Sequence, residues 1–336
     1  MIPKLLHAFC HNTNNKMNII PPEIMNYWIN KNNSLVCRLW RRIWRSKPME
    51  ITLTYDDRIR FSKFKNINTL CLNVTESIKD STIQRLTTIT ELHLDYDLGL
   101  TGTSFQYLTN ITHLEIRRGS DIDEKNLLYL PKLTRLELCD DQPISDEILK
   151  KLTNLSHLMV YGVSEDEYSW ITDDSVSRLT NLTYLDIGWI STITKKSILR
   201  LVSLVGLELH SVPTVSDKLI KMLTNLTQLI VSDIDKITDF SIKKLTSLTS
   251  LDLHDMEYIT GKSITRLKNL TTLFLWKQNI AGRHLKRMTN LKILTVYPDV
   301  HISGRTIKCL TGLECLELCN NNLIKTNDLA GLTKDM

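Results

Sequence analysis

The sequence predicts an α/β solenoid, with a curved parallel sheet inside and short helices outside, preceded by a small N-terminal helical module. Two observations predict it. An apolar position recurs at Ile67, Ile89, Ile111, Leu133, Leu155, Leu182, Leu204, Leu226, Leu248, Leu270, Leu291 and Leu313, spaced by 22 residues apart from one gap of 27 and one of 21. A fixed period of this size marks stacked supersecondary units. Inside each unit the apolar pattern then switches from period two to helical spacing.

The unit from Leu226 shows both halves. Leu229 and Val231 point one way while Gln228, Ile230 and Ser232 point the other, which is a short strand with one buried face. Ile237, Ile242 and Leu245 then share one side of a helix. A cap-type residue precedes that helix in most units, at Thr101, Asp123, Ser145, Thr172, Thr194, Ser216, Thr238, Thr260 and Ser303. Its side-chain oxygen is suited to accept from the free N–H groups of the first turn. Lys79 and Ala281 break the column. One unit cannot bury its own apolar residues, so neighbours must stack into a continuous core.

The pattern L-T-x-L-x-L followed by I-T-D-x-S-I-x-x-L-T-N resembles the leucine-rich repeat family, over residues 67–336. The I-T-D-x-S-I element is most similar to the repeats found behind F-boxes, without their usual Cys and with a shorter unit. The column eight residues after the leading position is an Asn or Cys ladder in the family. Here it holds Asp97, Val212, Ile234 and Met256, with Asn only at Asn321, so the turn after each strand must satisfy its backbone in another way. The long unit carries its five extra residues within Tyr161 to Trp170, and insertions in solenoids map to loops.

Ahead of the repeats, residues 1–17 read as a loosely ordered N-terminus and 49–66 as an irregular capping strand and adapter. Between them, residues 18–48 read as helical. Pro22 and Glu23 suit a first helical turn, and Ser34 caps a second helix in which Leu35, Leu39 and Ile43 share a face. The strings Pro22-Pro-Glu-Ile-Met and Ser34-Leu-Val-Cys-Arg-Leu-Trp-Arg-Arg-Ile resemble an F-box, the module that docks on the adaptor of cullin–RING ubiquitin ligases. The segment between the strings is shorter than the family pattern, and Asn30 to Asn33 replace its apolar middle. The resemblance implies an adaptor-binding surface of Pro22, Glu23, Ile24, Leu35, Val36, Cys37 and Trp40. Without it, these helices would be a plain cap over the open end of the solenoid.

Charge divides the chain at the same place. Residues 1–66 hold twelve Lys/Arg against four Asp/Glu, a net of +8, and the remainder nets −3. Such asymmetry marks two pieces with different partners. The Arg41, Arg42, Arg45 and Lys47 cluster lies on the face a short amphipathic helix leaves to solvent, and no basic stripe continues through the repeats, so nucleic acid is not expected. No apolar run has the length of a membrane span, and the opening patch is too short and too broken by His7 for a signal peptide. Seven cysteines, an odd number, favour a reducing compartment. The expectation is therefore a cytoplasmic or nuclear protein, not secreted and not at a membrane. The Asn-x-Thr/Ser acceptors at Asn110, Asn154, Asn181, Asn225 and Asn269 all fall in the L-T-N-L-T/S junction, so the repeat itself explains them.

Stacking turns positions into columns on the inner face. The central one reads Cys71, His93, Glu115, Glu137, Met159, Asp186, Glu208, Ile230, Asp252, Phe274, Thr295 and Glu317, with Glu115 beside Glu137 and Asp186 beside Glu208. Like charges at that spacing repel, and folding alone gives no reason to choose them. The flanking columns add Glu91, Asp95, His113, His157, His210 and His254, with Arg117 and Arg135 as fixed positive charges. Aromatic residues gather in two places, Tyr161, Tyr184 and Trp189 near the insertion, and Phe274, Trp276 and Tyr297 beside His254. Exposed Trp and Tyr are typical of interface hot spots. The expected substrate-binding residues are Glu115, Glu137, Tyr161, Tyr184, Asp186, Trp189, Glu208, Asp252, His254, Phe274, Trp276 and Tyr297, facing a protein with a basic segment.

Glu91, His93, His113 and Glu115 fall on adjacent strands near enough for a metal, but without a fixed ligand motif no metal or cofactor is assigned. There is no Gly-rich phosphate loop, nucleophile elbow or zinc signature, so no enzyme is expected. The sequence thus points to a substrate-recognition subunit of a cullin–RING ligase, or to a non-catalytic repeat scaffold whose N-terminal helices are only a cap.

Overall fold

A computed structural model of the chain describes residues 49–53, 67–73, 78–95, 98–117, 121–139, 144–161, 171–278, 280–297, 300 and 302–318. The expected F-box-like module over 18–48, most of the adapter, the inserted loop after Tyr161 and the chain after Leu318 lie outside the described residues. The chain divides into two compact units, Met1–Pro143 and Ile144–Met336.

In the first unit, β1 (Met49–Leu53), β2 (Ile67–Asn73), β3 (Glu91–Asp95), β4 (His113–Ile116) and β5 (Arg135–Leu138) run parallel in sequence order. The register of β1 against β2 shifts between Met49 and Glu50, so the first pairing is irregular. Short helical turns connect β2 to β5: α1 (Asp80–Ile83) and 3-10 turns at Thr103–Tyr107 and Glu124–Tyr129.

The second unit repeats one motif. Its strands are β6 (His157–Tyr161), β7 (Tyr184–Gly188), β8 (Gly206–His210), β9 (Gln228–Ser232), β10 (Ser250–His254), β11 (Thr272–Trp276), β12 (Ile293–Val296) and β13 (Cys315–Leu318). Each is parallel to the next. The single-turn helices are α2 (Asp146–Leu149), α3 (Asp173–Val176), α4 (Lys195–Ile198), α5 (Asp217–Ile220), α6 (Asp239–Ile242), α7 (Gly261–Ile264), α8 (Gly282–Leu285) and α9 (Gly304–Ile307). They are this short because a 22-residue unit must also hold a strand and two turns. Among the described residues, no helix is long and apolar enough to cross a membrane.

The predicted inward positions form the core. Leu229, Val231, Ile237, Ile242, Leu245 and Leu248 are all fully buried, and the equivalent positions of the other units follow them. At roughly 25 cal/mol per Å² of apolar surface, this burial is the main force holding one unit on the next.

Backbone pairing continues past each strand without an Asn ladder. Trp189, Ser211, Asp233, Asp255 and Lys277 take left-handed φ values between 48° and 56°. In that conformation the amides of Trp189, Ser211, Asp233 and Asp255 donate to the carbonyls of His210, Ser232, His254 and Trp276, one strand along. Left-handed backbone costs a non-Gly residue roughly 1–2 kcal/mol, and the extra rung offsets it. At the other end of the strand, Thr112, Thr183, Thr227, Thr249 and Thr271 hydroxyls donate to carbonyls of the preceding unit. Asn110, Asn181 and Asn269 likewise donate their Nδ2 to Thr87, Thr153 and Thr246 carbonyls. That nitrogen is the atom a glycan would need, so these acceptors are structural joints in the fold.

The helix starts hold a second contact that the cap column does not suggest. Asp123, Thr172, Thr194, Thr238 and Thr260 do accept from their own first turn, Ser145, Ser216 and Ser303 make no such bond, and Gly102 rather than Thr101 starts its turn. The branched Cβ of threonine restricts its side-chain rotation, which favours the cap geometry. The Asp that follows the cap then reaches forward. Asp173, Asp217 and Asp239 each accept from the amide and the hydroxyl of the next unit's Thr194, Thr238 and Thr260, at 2.6–2.9 Å. Asp146 does the same to Thr172 and Asp80 to Thr101. Burial pushes the Asp173 carboxyl up, but bonds from Ser197 and Thr194 outweigh it and hold it below its ordinary value.

Asp239→Ala removes both bonds to Thr260. It should destabilise the chain by about 1–2 kcal/mol in urea denaturation, whereas Lys218→Ala on the exposed face should stay within about 0.5 kcal/mol. Equal effects of the two would mean that the forward contact contributes nothing.

Candidate functional site

The open face of each sheet carries the expected columns in register. In the first unit His93 pairs across to Glu115 and Glu115 to Glu137, while Glu91, His113 and Arg135 form the row beside them. Each carboxylate is held by one imidazole and one guanidinium. His93 Nδ1 lies 2.5 Å from Glu115 Oε2, and Arg117 donates to Glu115 Oε1. Arg135 donates to Glu137, whose Oε1 is also 3.4 Å from His113 Nε2. The rings of His93 and His113 meet edge to face at 4.7 Å.

These contacts resolve the like-charge problem posed by the sequence. The hydrogen bond from His93 lowers the Glu115 carboxyl, with Arg117 helping against the cost of burial. Burial pushes Glu137 up, but the His113 and Arg135 bonds outweigh it and hold it at about 2. Glu137 is only 6% exposed. The Arg residues make this stretch close to charge-neutral.

The second unit is different, because strands β6 to β13 contain no Lys or Arg. Asp186 and Glu208 are paired residues on β7 and β8. Tyr161 donates its hydroxyl to Asp186 Oδ2 at 2.8 Å, and Tyr184 donates to Glu208 Oε2 at 2.7 Å. His210 Nε2 sits 2.8 Å from Glu208 Oε1. Both tyrosine rings lie close against a glycine of the next strand. A Cβ on Gly188 would stand 2.4 Å from the Tyr161 ring, and one on Gly206 would stand 2.4 Å from the Tyr184 ring. These glycines serve close approach, since neither has a left-handed φ. His157 stacks on Tyr184 at 4.4 Å, and Trp189 stacks on His210 at 6.5 Å. Asp186 is fully buried beneath this group, whereas Trp189 is 46% exposed.

A third cluster follows on β10 to β12. Asp252 Oδ1 is 2.8 Å from His254 Nε2, and that bond raises the His254 pKa against the opposing effect of burial. His254 meets Trp276 edge to face at 5.5 Å, and Trp276 meets Tyr297 at 6.5 Å. Trp276 and Tyr297 are both more than a third exposed. Phe274 is half-buried between Asp252 and Thr295 in the central column.

The structure therefore gathers the expected substrate-face residues into separate groups. Glu115 and Glu137 stand in one unit; Tyr161, Tyr184, Asp186, Trp189 and Glu208 form a group in the other, with Asp252, His254, Phe274, Trp276 and Tyr297 further along its strands. The adaptor residues Pro22 to Trp40 lie outside the described residues. Sequence reasoning missed the joining of His210 to the Asp186–Glu208 pair, although stacking the units at their period aligns them. It also missed Gly188 and Gly206, whose signal was a glycine inside a strand one unit after an aromatic.

The Glu137 contacts set a pH dependence. Its folded pKa lies below the unfolded value, so the stability it adds is complete above about pH 4.5 and is lost as pH falls towards 2. Glu137→Gln should destabilise the chain by about 1–3 kcal/mol at pH 7, and the difference from the parent should shrink in that acid window. Gly188→Ala should displace the Tyr161 ring at a cost of about 1–3 kcal/mol, measured in the same denaturation series. A pH-independent Glu137→Gln effect would remove the electrostatic account.

No protein-family model matches the sequence, and no curated protein matches it. Solved structures do. An internalin, InlF, from Listeria monocytogenes superposes with a TM-score of 0.53 at 19% identity, covering 90% of this chain and 93% of that one. Rad7, from the yeast Rad7–Elc1 complex, superposes with a TM-score of 0.52 at 17% identity, covering 76% of this chain and 83% of that one. At these identities the likeness is one of fold, and together with the parallel strands and one-turn helices it makes this an α/β leucine-rich-repeat solenoid.

Proposed function

We propose that this chain is a non-catalytic recognition subunit: its open sheet face binds a protein through a basic segment, and its N-terminal module docks a ligase adaptor. The observation that carries the first half is the face of β6 to β13. It presents Glu208, Asp252 and Glu317, above the buried Asp186, with no Lys or Arg on any of its strands. Beside these carboxylates stand exposed Trp189, Trp276 and Tyr297. A Lys- or Arg-rich segment fits that surface through charge and through stacking on aromatic faces. Trp276 already has Lys277 Nζ 5.2 Å from its ring centroid, so the ring's capacity for a cation is visible within the chain.

The second half rests on the resemblance of Ser34-Leu-Val-Cys-Arg-Leu-Trp-Arg-Arg-Ile to an F-box, directly ahead of the repeats. A repeat protein of the same fold, Rad7, was crystallised in a complex with Elc1. In such an arrangement the ubiquitin-transfer chemistry belongs to other subunits, and this chain supplies effective concentration and orientation. The alternative is a free-standing scaffold, favoured by the shortened segment between the two F-box-like strings.

Two binding measurements separate these readings. Intact chain should co-purify with an adaptor–cullin pair, and a Val36→Glu, Trp40→Ala variant with folded repeats should not. Failure of the intact chain to co-purify leaves the scaffold reading. An Asp252→Asn, Trp276→Ala variant should lose about tenfold or more in affinity for a Lys/Arg-rich peptide, more clearly at low salt. Unchanged peptide binding would refute the basic-partner assignment whatever the adaptor result.

A further inference from the structure

We propose that Asp186, Glu208 and His210 form a binding site for a divalent transition-metal ion of the Zn2+ class. The three come together because β7 and β8 pair in register, Asp186 with Glu208 and Gly188 with His210. One atom from each, two carboxylate oxygens and an imidazole nitrogen, lies within 4.8 Å of the others. His210 Nε2 is 2.8 Å from Glu208 Oε1 and 3.9 Å from Asp186 Oδ1. An ion about 2.0–2.2 Å from each ligand atom holds those atoms roughly 3–3.5 Å apart. The two imidazole–carboxylate distances lie on either side of that range.

The surroundings orient these groups as ligands. Each carboxylate has one oxygen engaged by a phenol, Asp186 Oδ2 by Tyr161 and Glu208 Oε2 by Tyr184. The other oxygen of each is thereby turned towards His210 Nε2. Outer hydrogen bonds that fix a ligating carboxylate in this way are a regular part of metal centres. The phenols reach their positions only because Gly188 and Gly206 leave room for the rings. Two carboxylates held this close repel, and a dication compensates both charges at once.

A nitrogen with two oxygens suits a borderline ion such as Zn2+. Calcium would need six to eight oxygens. Three protein ligands leave a fourth position of a tetrahedron for water or a partner's side chain. The related trio Glu91, His93 and His113 in the first unit has similar spacing. There, however, His93 is engaged by Glu115, a carboxylate outside the trio. No phenol supports that set among the described residues.

The test is a Zn2+ titration of the full chain by calorimetry after chelator treatment and dialysis, repeated with Co2+ to read ligand-field absorption. We expect one saturable site, lost in His210→Gln and weakened about 10–100-fold in Tyr161→Phe. Tyr161→Phe removes only the orienting hydroxyl, and circular dichroism establishes that each variant is folded. His284→Gln, on α8, should bind as the parent does. No saturable binding, or equal binding by parent and folded His210→Gln, would overturn the assignment; the latter would place the ion on other histidines or the cysteines.

Discussion

The structure depends on in-register parallel pairing of each strand with the next, one unit along. Within each unit, position-by-position register makes every sequence column a ladder of side chains in space. Leucine over leucine builds the core, threonine over carbonyl ties the strand start, and carboxylate beside imidazole builds the open face. None of these needs a long helix, which explains why a single turn suffices on the other side. A slip of one residue would send the core leucines to solvent, so the leucine columns and the face columns stand or fall together.

The open face shows how the fold accommodates charges that pure packing would avoid. Every carboxylate among Glu115, Glu137, Asp186, Glu208 and Asp252 has a donor from its own or a neighbouring strand: His, Arg or Tyr. These donors differ along the chain. Arginines serve the first unit and leave little free charge there. Phenols and imidazoles serve the second, so its acidic character survives and its aromatic rings become part of the surface. The difference in donors is what leaves the second unit's open face acidic and aromatic while the first is nearly neutral.

Much of this was legible in the sequence. The period placed β2 to β13, the cap column placed the helix starts, and the columns named Asp186 and Glu208 as neighbours. What the sequence did not disclose was direction and reach. Asp173 reads as an ordinary first-turn residue, yet its bonds are made 21 residues ahead, from the amide and hydroxyl of the next unit's Thr194. Tyr161 and Gly188 look unrelated until stacking lays one over the other. The left-handed turn residues were hidden because Trp, Ser and Asp share no chemistry; the shared feature is the backbone amide that Trp189, Ser211, Asp233 and Asp255 aim at the next strand.

The Asp–Thr contact has an orientation along the chain: the acceptor always belongs to the earlier unit and the donor to the later one. During synthesis the N-terminal part of a chain leaves the ribosome first. Each newly emerged unit therefore meets a carboxylate already in place on its predecessor, which its own Thr amide and hydroxyl reach as the apolar faces close. Growth in that order extends a formed surface by one unit at a time, whereas growth from the other end would bring each carboxylate to a partner folded before it.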